Sequence, residues 1–275
     1  LYDLTSGANN ISMGYRSAYE LTTGDKNIAI GTFALTGPDT EDNNLAIGEQ
    51  ALGGSIAGGE YNVAVGNNSL DALTSGDNNV AIGYNAAGAL TTSNDNVIIG
   101  YNAAENATTL AENVVIGHEA MGTGVATSAY NVAIGKEAAK EATSMSETIA
   151  IGYQAAEQNT TGSNVIAIGY TAYDDADTEN HNLAIGTHAL GGSVAGGEYN
   201  VAVGNYTLDA LTSGDGNTVM GYQAGTGLTT GTDNVLVGRT AGGTGAMTGD
   251  FNVFVGTGIG GNNALTSAYQ NVVIG

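Results

Sequence analysis

The sequence contains no cysteine, no tryptophan and a single proline, and only five of its 275 residues are Lys or Arg. Without cysteine there is neither a disulfide framework nor a thiolate metal site, which leaves the compartment open. Five basic residues against 27 acidic ones give a formal charge of −22. That field repels phosphate backbones and anionic lipid, so nucleic acid is not expected as a partner. No apolar run approaches the ~18 residues a membrane-spanning helix needs, so no membrane insertion is expected either. Aromatics are sparse, and the 42% hydrophobic content leans on Ala rather than on large side chains. Such a chain buries many small groups, which suits a thin, stacked core better than a globular one.

What is plentiful is glycine, with 44 residues, and it is placed by rule. The stretch NNVAIGYNAAGALTTSNDNVIIG, from Asn78 to Gly100, begins and ends on nearly the same phrase. Its closing glycine recurs in sixteen copies, from Gly14, Gly31 and Gly48 to Gly238, Gly256 and Gly275, at spacings of 17 or 18 residues and once 19. A fixed period of this kind marks a repeat architecture and overrides a domain count based on length. Residues 1–275 therefore read as a single repeat array. A start at Leu1 in mid-repeat suggests a piece of a longer fibrous protein. The first three 18-residue gaps follow Gly48, Gly117 and Gly186, 69 residues apart, so four turns form a larger block. The segment Ala51–Asp77 returns as Ala189–Asp215 with three changes in 27 positions, consistent with growth by block duplication.

Each copy has the same grammar. Four residues before the glycine stands Asn, in all copies except Thr148 and Val165; an aliphatic residue, then a small one, usually Ala, and then Ile, Val or Met follow. Alternation with β-branched residues predicts a short strand with Val80 and Ile82 on one side and Ala81 on the other. After the glycine come two variable residues and then a small one, such as Ser17, Ala34 or Ala241, where a second short strand is expected. Corners such as LTTGDKN and LTSGDNN use residues that tolerate tight turns. The Ala-rich middles, NAAGAL or KEAAKEAT, leave too little room for a helix of ordinary length.

The expectation is an all-β fold, a β-solenoid or β-roll of about sixteen 17-residue coils. Stacked Val and Ile columns would form its core, the Asn column would run amide hydrogen bonds from coil to coil, and the Gly column would supply a backbone angle other residues resist. Two large aliphatic residues per coil would fill little space. The small residue of the second strand would then pack against the same surface of identical chains, giving a parallel homo-oligomer.

The NVAIGxxA phrase resembles the head repeat of trimeric autotransporter adhesins, in which left-handed β-rolls from three chains pack side by side. The spacing and corners of NVAIGYNAAGALTTSND and TVMGYQAGTGLTTGTDN are more similar still to repeat arrays of bacteriophage tail fibres. The resemblance implies a left-handed, parallel homotrimer, intertwined or side by side, in an extracellular or virion setting.

Catalytic or ligand-binding chemistry finds little support. GTGIGG, from Gly256 to Gly261, fits GxGxxG but lacks the βαβ surroundings that would make it a dinucleotide site. His118, His181 and His188 fall at different places in different coils, without zinc-ligand spacing. In DDADTEN, Asp175, Asp177 and Glu179 alternate like early calcium-loop ligands, but Asn180 and Gly186 stand where the loop needs Gly and Glu. The GD corners at Asp25, Asp77 and Asp215 would at most gather cations between chains. Tyr15, Tyr84, Tyr101, Tyr153, Tyr170 and Tyr222 follow the repeat glycine and should stack for stability, or serve as a glycan-binding stripe. Thr pairs such as Thr22–Thr23 and Thr91–Thr92 raise ice binding but fail to recur on every coil. No catalytic, cofactor-binding or metal residue is assigned, no cofactor is expected, and the chain is not expected to be an enzyme. The expected function is a structural fibre segment of a phage tail fibre, presenting a tip for host attachment. Its partners would be two copies of itself and, through a region outside this segment, a host surface receptor or glycan. The alternatives are the stalk or head of a bacterial trimeric surface adhesin, or an extracellular filament subunit.

Overall fold

A computed structural model describes residues 3–37, 40–54, 58–243, 245–260, 267 and 269–275. It is a β-solenoid with sixteen strands of three residues, one before each repeat glycine. Among the described residues there is no helix. The chain divides into two compact units, Leu1–Glu137 and Ala138–Gly275.

The first unit contains β1 (Ile11–Met13), β2 (Ile28–Ile30), β3 (Leu45–Ile47), β4 (Val63–Val65), β5 (Val80–Ile82), β6 (Val97–Ile99), β7 (Val114–Ile116) and β8 (Val132–Ile134). Each strand pairs in parallel with the next, residue for equivalent residue, so that Val80 lies beside Val97 and Ala81 beside Ile98. The second unit repeats this with β9 (Ile149–Ile151), β10 (Ile166–Ile168), β11 (Leu183–Ile185), β12 (Val201–Val203), β13 (Thr218–Met220), β14 (Val235–Val237), β15 (Val253–Val255) and β16 (Val272–Ile274). The 18-residue gaps leave the strand register intact, as between β3 and β4 and between β11 and β12.

The alternation along each strand is as expected, but its polarity is reversed. The middle residue points inward: Ala29, Ala46, Ala64, Ala81, Ile98 and Val115 are fully buried. The flanking Val and Ile residues face outward and are only half-buried. A coil of 17 residues encloses a narrow space, and the backbone on its far side leaves room there for a methyl group. Larger residues fill in from the opposite wall, as Leu35, Leu52, Leu70, Leu73 and Leu90 do. Volume is exchanged across this space. Where the strand sends in Leu236 or Phe254, the facing residues are Gly225, Gly242 and Gly260. A Cβ added to Gly242 would lie 2.9 Å from Leu236 Cδ1, and one on Gly260 3.2 Å from Phe254 Cδ2.

The second strand is replaced by a run of tight turns. Residues two and four places after the repeat glycine have left-handed backbones, as at Asn85 (φ 53°) and Ala87 (φ 55°), or Gln50 (φ 54°) and Leu52 (φ 49°). Between them lies the small residue, and it too is corrected in role. Ala34, Ala51, Ala86 and Ala103 are fully buried inside their own coil and present no face to another chain.

Two columns hold successive coils together. The repeat glycines from Gly14 to Gly256 have φ between 131° at Gly238 and 146° at Gly169. In this left-handed region a side chain is strained. Space forbids it as well, since a Cβ on Gly83 would lie 2.3 Å from the carbonyl oxygen of Gly100. The Asn column forms a buried amide ladder. Asn79 donates its backbone N–H to Asn62 Oδ1 (3.0 Å) and its Nδ2 to Ser93 O (2.6 Å), and Asn96 in turn donates Nδ2 to Asn79 Oδ1 (2.9 Å).

Candidate interaction surface

The strands turn two aliphatic columns outward. In the first unit these pair Val63 with Val65, Val80 with Ile82, Val97 with Ile99 and Val114 with Ile116. Away from the terminal strands, exposure reaches 38% at Ile82 and, in the second unit, 44% at Met220. One such residue alone would be ordinary; a two-column wall repeated on coil after coil, broken by a polar residue only at Thr218, is an apolar face of the kind that marks an interaction surface.

Two rims border this wall. The exit rim, just after the repeat glycine, carries the Tyr column, whose rings stack from coil to coil as expected at Tyr84, Tyr101, Tyr153 and Tyr170, whereas Tyr15 and Tyr222 meet Phe33 and Tyr206 edge-on. Tyr84 lies 5.4 Å from Tyr101, Tyr101 5.1 Å from His118, and Tyr153 5.1 Å from Tyr170, all nearly parallel. The entry rim, just before the ladder Asn, carries exposed residues with left-handed backbones, such as Tyr61, Tyr130 and Asp233.

The histidines separate by column. His181 stacks on Tyr199 at 4.9 Å, whereas His188 stacks on Tyr206 at 5.6 Å and shares a 2.9 Å hydrogen bond with Thr171 Oγ1. His118 approaches Glu119 at 3.9 Å on the surface. The acidic corner is not assembled as a cation loop. Asp175 accepts from Gln158 Nε2 (2.9 Å), Asp177 accepts from the Thr160 hydroxyl, and the buried Glu179 accepts from the backbone of Thr178 (3.1 Å) and Gly196 (2.8 Å). Glu41, its equivalent in the earlier copy of the duplicated block, likewise accepts from Gly58 N at 2.8 Å. Among the described residues, no three His, Asp or Glu side chains converge as metal ligands would.

The GD corners have a role that was not anticipated from the sequence. Asp25 Oδ1 accepts the backbone N–H of Ala8 (2.6 Å), Asp77 Oδ1 that of Glu60 (2.8 Å) and Asp215 Oδ1 that of Glu198 (2.8 Å). Each corner carboxylate thus terminates a donor of the preceding coil. An acid two residues before the ladder Asn, seventeen residues after a corner N–H with no strand partner, was the signal. The Thr hydroxyls are also engaged between coils, Thr74 with Thr91 O (3.0 Å) and Thr91 with Thr108 O (3.0 Å).

In the second unit two successive coils lack the ladder Asn, at Thr148 and Val165. Val165 interrupts the amide ladder, and Tyr173 enters the core beside it, donating its hydroxyl to Glu179 O (3.0 Å) and accepting from Asn182 Nδ2 (3.0 Å). Burial pushes the Tyr173 hydroxyl well above the usual phenol range. Burial likewise raises the neighbouring Asp174 carboxyl to about 6, with smaller opposing contributions from its backbone hydrogen bond and from His188. Asp71 and Asp209, at matching corners, are raised for the same reason.

GTGIGG sits in an ordinary coil. Gly256 is a repeat glycine with φ 143°, no helix begins there, and Gly261 lies outside the described residues. Among the described residues, no helix is long and apolar enough to cross a membrane. No protein-family model matches the chain, and no curated protein matches it.

Proposed function

We propose that this array is a structural fibre segment of a bacteriophage tail fibre, assembled as a parallel homotrimer that holds a host-attachment tip away from the particle. The supporting observation is the outward wall of Val and Ile, present coil after coil and only half-buried in one chain. Eight coils at ~4.8 Å, about five residues wide, give a face on the order of 600 Å² per unit. That is close to the ~800 Å² per partner of a stable interface before a second unit is counted. Identical chains are the natural cover, because each coil presents the same face at the same spacing. In this reading the receptor or host glycan is engaged by a region outside the segment, and the setting is extracellular.

Native mass by light scattering, with resistance to SDS before boiling, tests this. The expected result is a stable trimer, reduced to monomers that keep their β circular dichroism when Ile82 and Ile99 are both replaced by Asp. A monomeric parent chain would overturn the proposal. Large open-ended assemblies would instead favour a filament subunit.

A further inference from the structure

Only five residues of the chain are basic, and three of them stand on the rims of the apolar wall. Lys26 is on the entry rim, and Lys136 and Arg239 are on the exit rim; all three are exposed. In the second unit the charges segregate by rim. The entry rim carries Glu147 and Asp233, both exposed, and the exit rim carries Arg239. Asp233 and Arg239 bracket one strand, Val235–Val237. Neither forms an ion pair with another described residue of its own chain. The first unit is mixed: Glu112 stands opposite His118 across Val114–Ile116 and Tyr130 opposite Lys136 across Val132–Ile134, but Lys26 lies on the entry rim and Glu49 on the exit rim. No coil carries like charges on both rims.

Symmetry decides what these rims meet. When identical chains run parallel around a common axis and turn their walls inward, the entry rim of one meets the exit rim of the next. When they pack antiparallel, wall to wall, each rim meets its own kind. We infer that copies of this chain associate in parallel with unlike rims in contact, so that Asp233 of each chain pairs with Arg239 of its neighbour on the same coil. The inference rests on the parallel homotrimer proposed above and adds to it the pairing and register of the rims. Antiparallel packing would face entry rim with entry rim and so deny Asp233 the Arg239 of a neighbouring chain. The wall supplies adhesion without direction, since Val and Ile columns fit either way, whereas rim charges penalise the wrong partner arrangement.

The absence of native cysteine makes this directly testable. An Asp233→Cys/Arg239→Cys double variant, oxidised at neutral pH, should migrate as covalent trimers on non-reducing gels, with neither single variant cross-linked. A bond within one chain is precluded, because the strand Val235–Val237 lies between the two positions and alone holds its flanking residues roughly 13 Å apart, whereas a disulfide spans ~7 Å at most between Cα atoms. Charge reversal gives a second readout. Asp233→Arg alone and Arg239→Asp alone should each weaken association roughly tenfold at low salt, and the double reversal should restore it. Light scattering on the same samples separates the failures. An oligomer that stays uncross-linked in the double variant, or that cross-links through Asp233→Cys alone, overturns the rim pairing and leaves the homo-oligomer standing. A monomer overturns both.

Discussion

Replacing Asn79 by Leu tests whether the amide ladder holds the coils together or merely decorates them. Leu is close to Asn in size, so packing is nearly preserved while the hydrogen bonds are lost. The amide of Asn79 donates to Ser93 O at 2.6 Å and accepts from Asn96 N at 3.3 Å and Asn96 Nδ2 at 2.9 Å. Asn96 Nδ2 keeps Leu110 O at 3.0 Å as a partner. The substitution therefore orphans two fully buried backbone groups, the carbonyl of Ser93 and the N–H of Asn96. Each orphan costs about 1–3 kcal/mol, and burial of the Leu side chain recovers about a third of the total, leaving a net loss of about 3 kcal/mol. Because each coil contacts only its neighbours, the loss should be local before it is global. Hydrogen exchange should accelerate in peptides spanning residues 76–99, while peptides covering β1 and β2 change little. Urea unfolding of the chain should move to lower midpoint. A cost below about 1 kcal/mol, with unchanged exchange around Val97, would refute the reasoning and assign the stacking to packing alone.

Three further outcomes follow from the same geometry. Gly83→Ala, whose new methyl would lie 2.3 Å from Gly100 O, should destabilise by at least ~2 kcal/mol more than Gly58→Ala, where φ is also positive but nothing stands within 4 Å; urea midpoints give the comparison. Tyr173→Phe should cost about 1–3 kcal/mol, because Glu179 O and Asn182 Nδ2 both lose the hydroxyl, and calorimetry would read it. Asp174 should give a pH signature of definite sign. Its carboxyl is raised to about 6 in the folded chain, so its penalty is absent below about 3.8, where both states are protonated, and grows as pH rises through 6. Asp174→Asn should accordingly stabilise at pH 7.5 by about 1 kcal/mol, after allowing for solvent screening of a half-exposed group, and leave stability unchanged at pH 3.

The periodic features were legible because they are one-dimensional. A 17-residue recurrence, an Asn at fixed distance from a Gly and a three-residue alternation determine one strand per coil, the amide ladder and the glycine angle. The direction of each strand's faces was not legible. Alternation distinguishes Val80 and Ile82 from Ala81 without saying which side is inside, and the habit of placing large residues in the core chose wrongly. The missed signal was the pairing of small positions, Ala81 with Ala86 and Ala64 with Ser69, which only a narrow interior requires. The second strand failed for another reason. Left-handed backbones at Asn68, Asn85 and Asn102 fit the preference of Asn for that region, but Leu52 and Leu70 adopt it too, held there by burial. The interaction surface followed from this reversal, since the residues assigned to the core are the ones that form the outer wall.

The coil-to-coil hydrogen bonds carry a kinetic consequence. Their partners lie 17, 18 or 19 residues apart, as from Asn27 to Asn10, Asn62 to Asn44 and Asn271 to Asn252. The loop closed to add a coil is thus the same size at the fifth coil of a unit as at the second, and its entropy does not grow with chain length. Only the first pair of coils must form without a template; every later one docks on a finished edge. Within a unit, folding should be limited by that first closure and then proceed as a zipper, so that inserting a complete coil lengthens the array while leaving the folding barrier nearly unchanged.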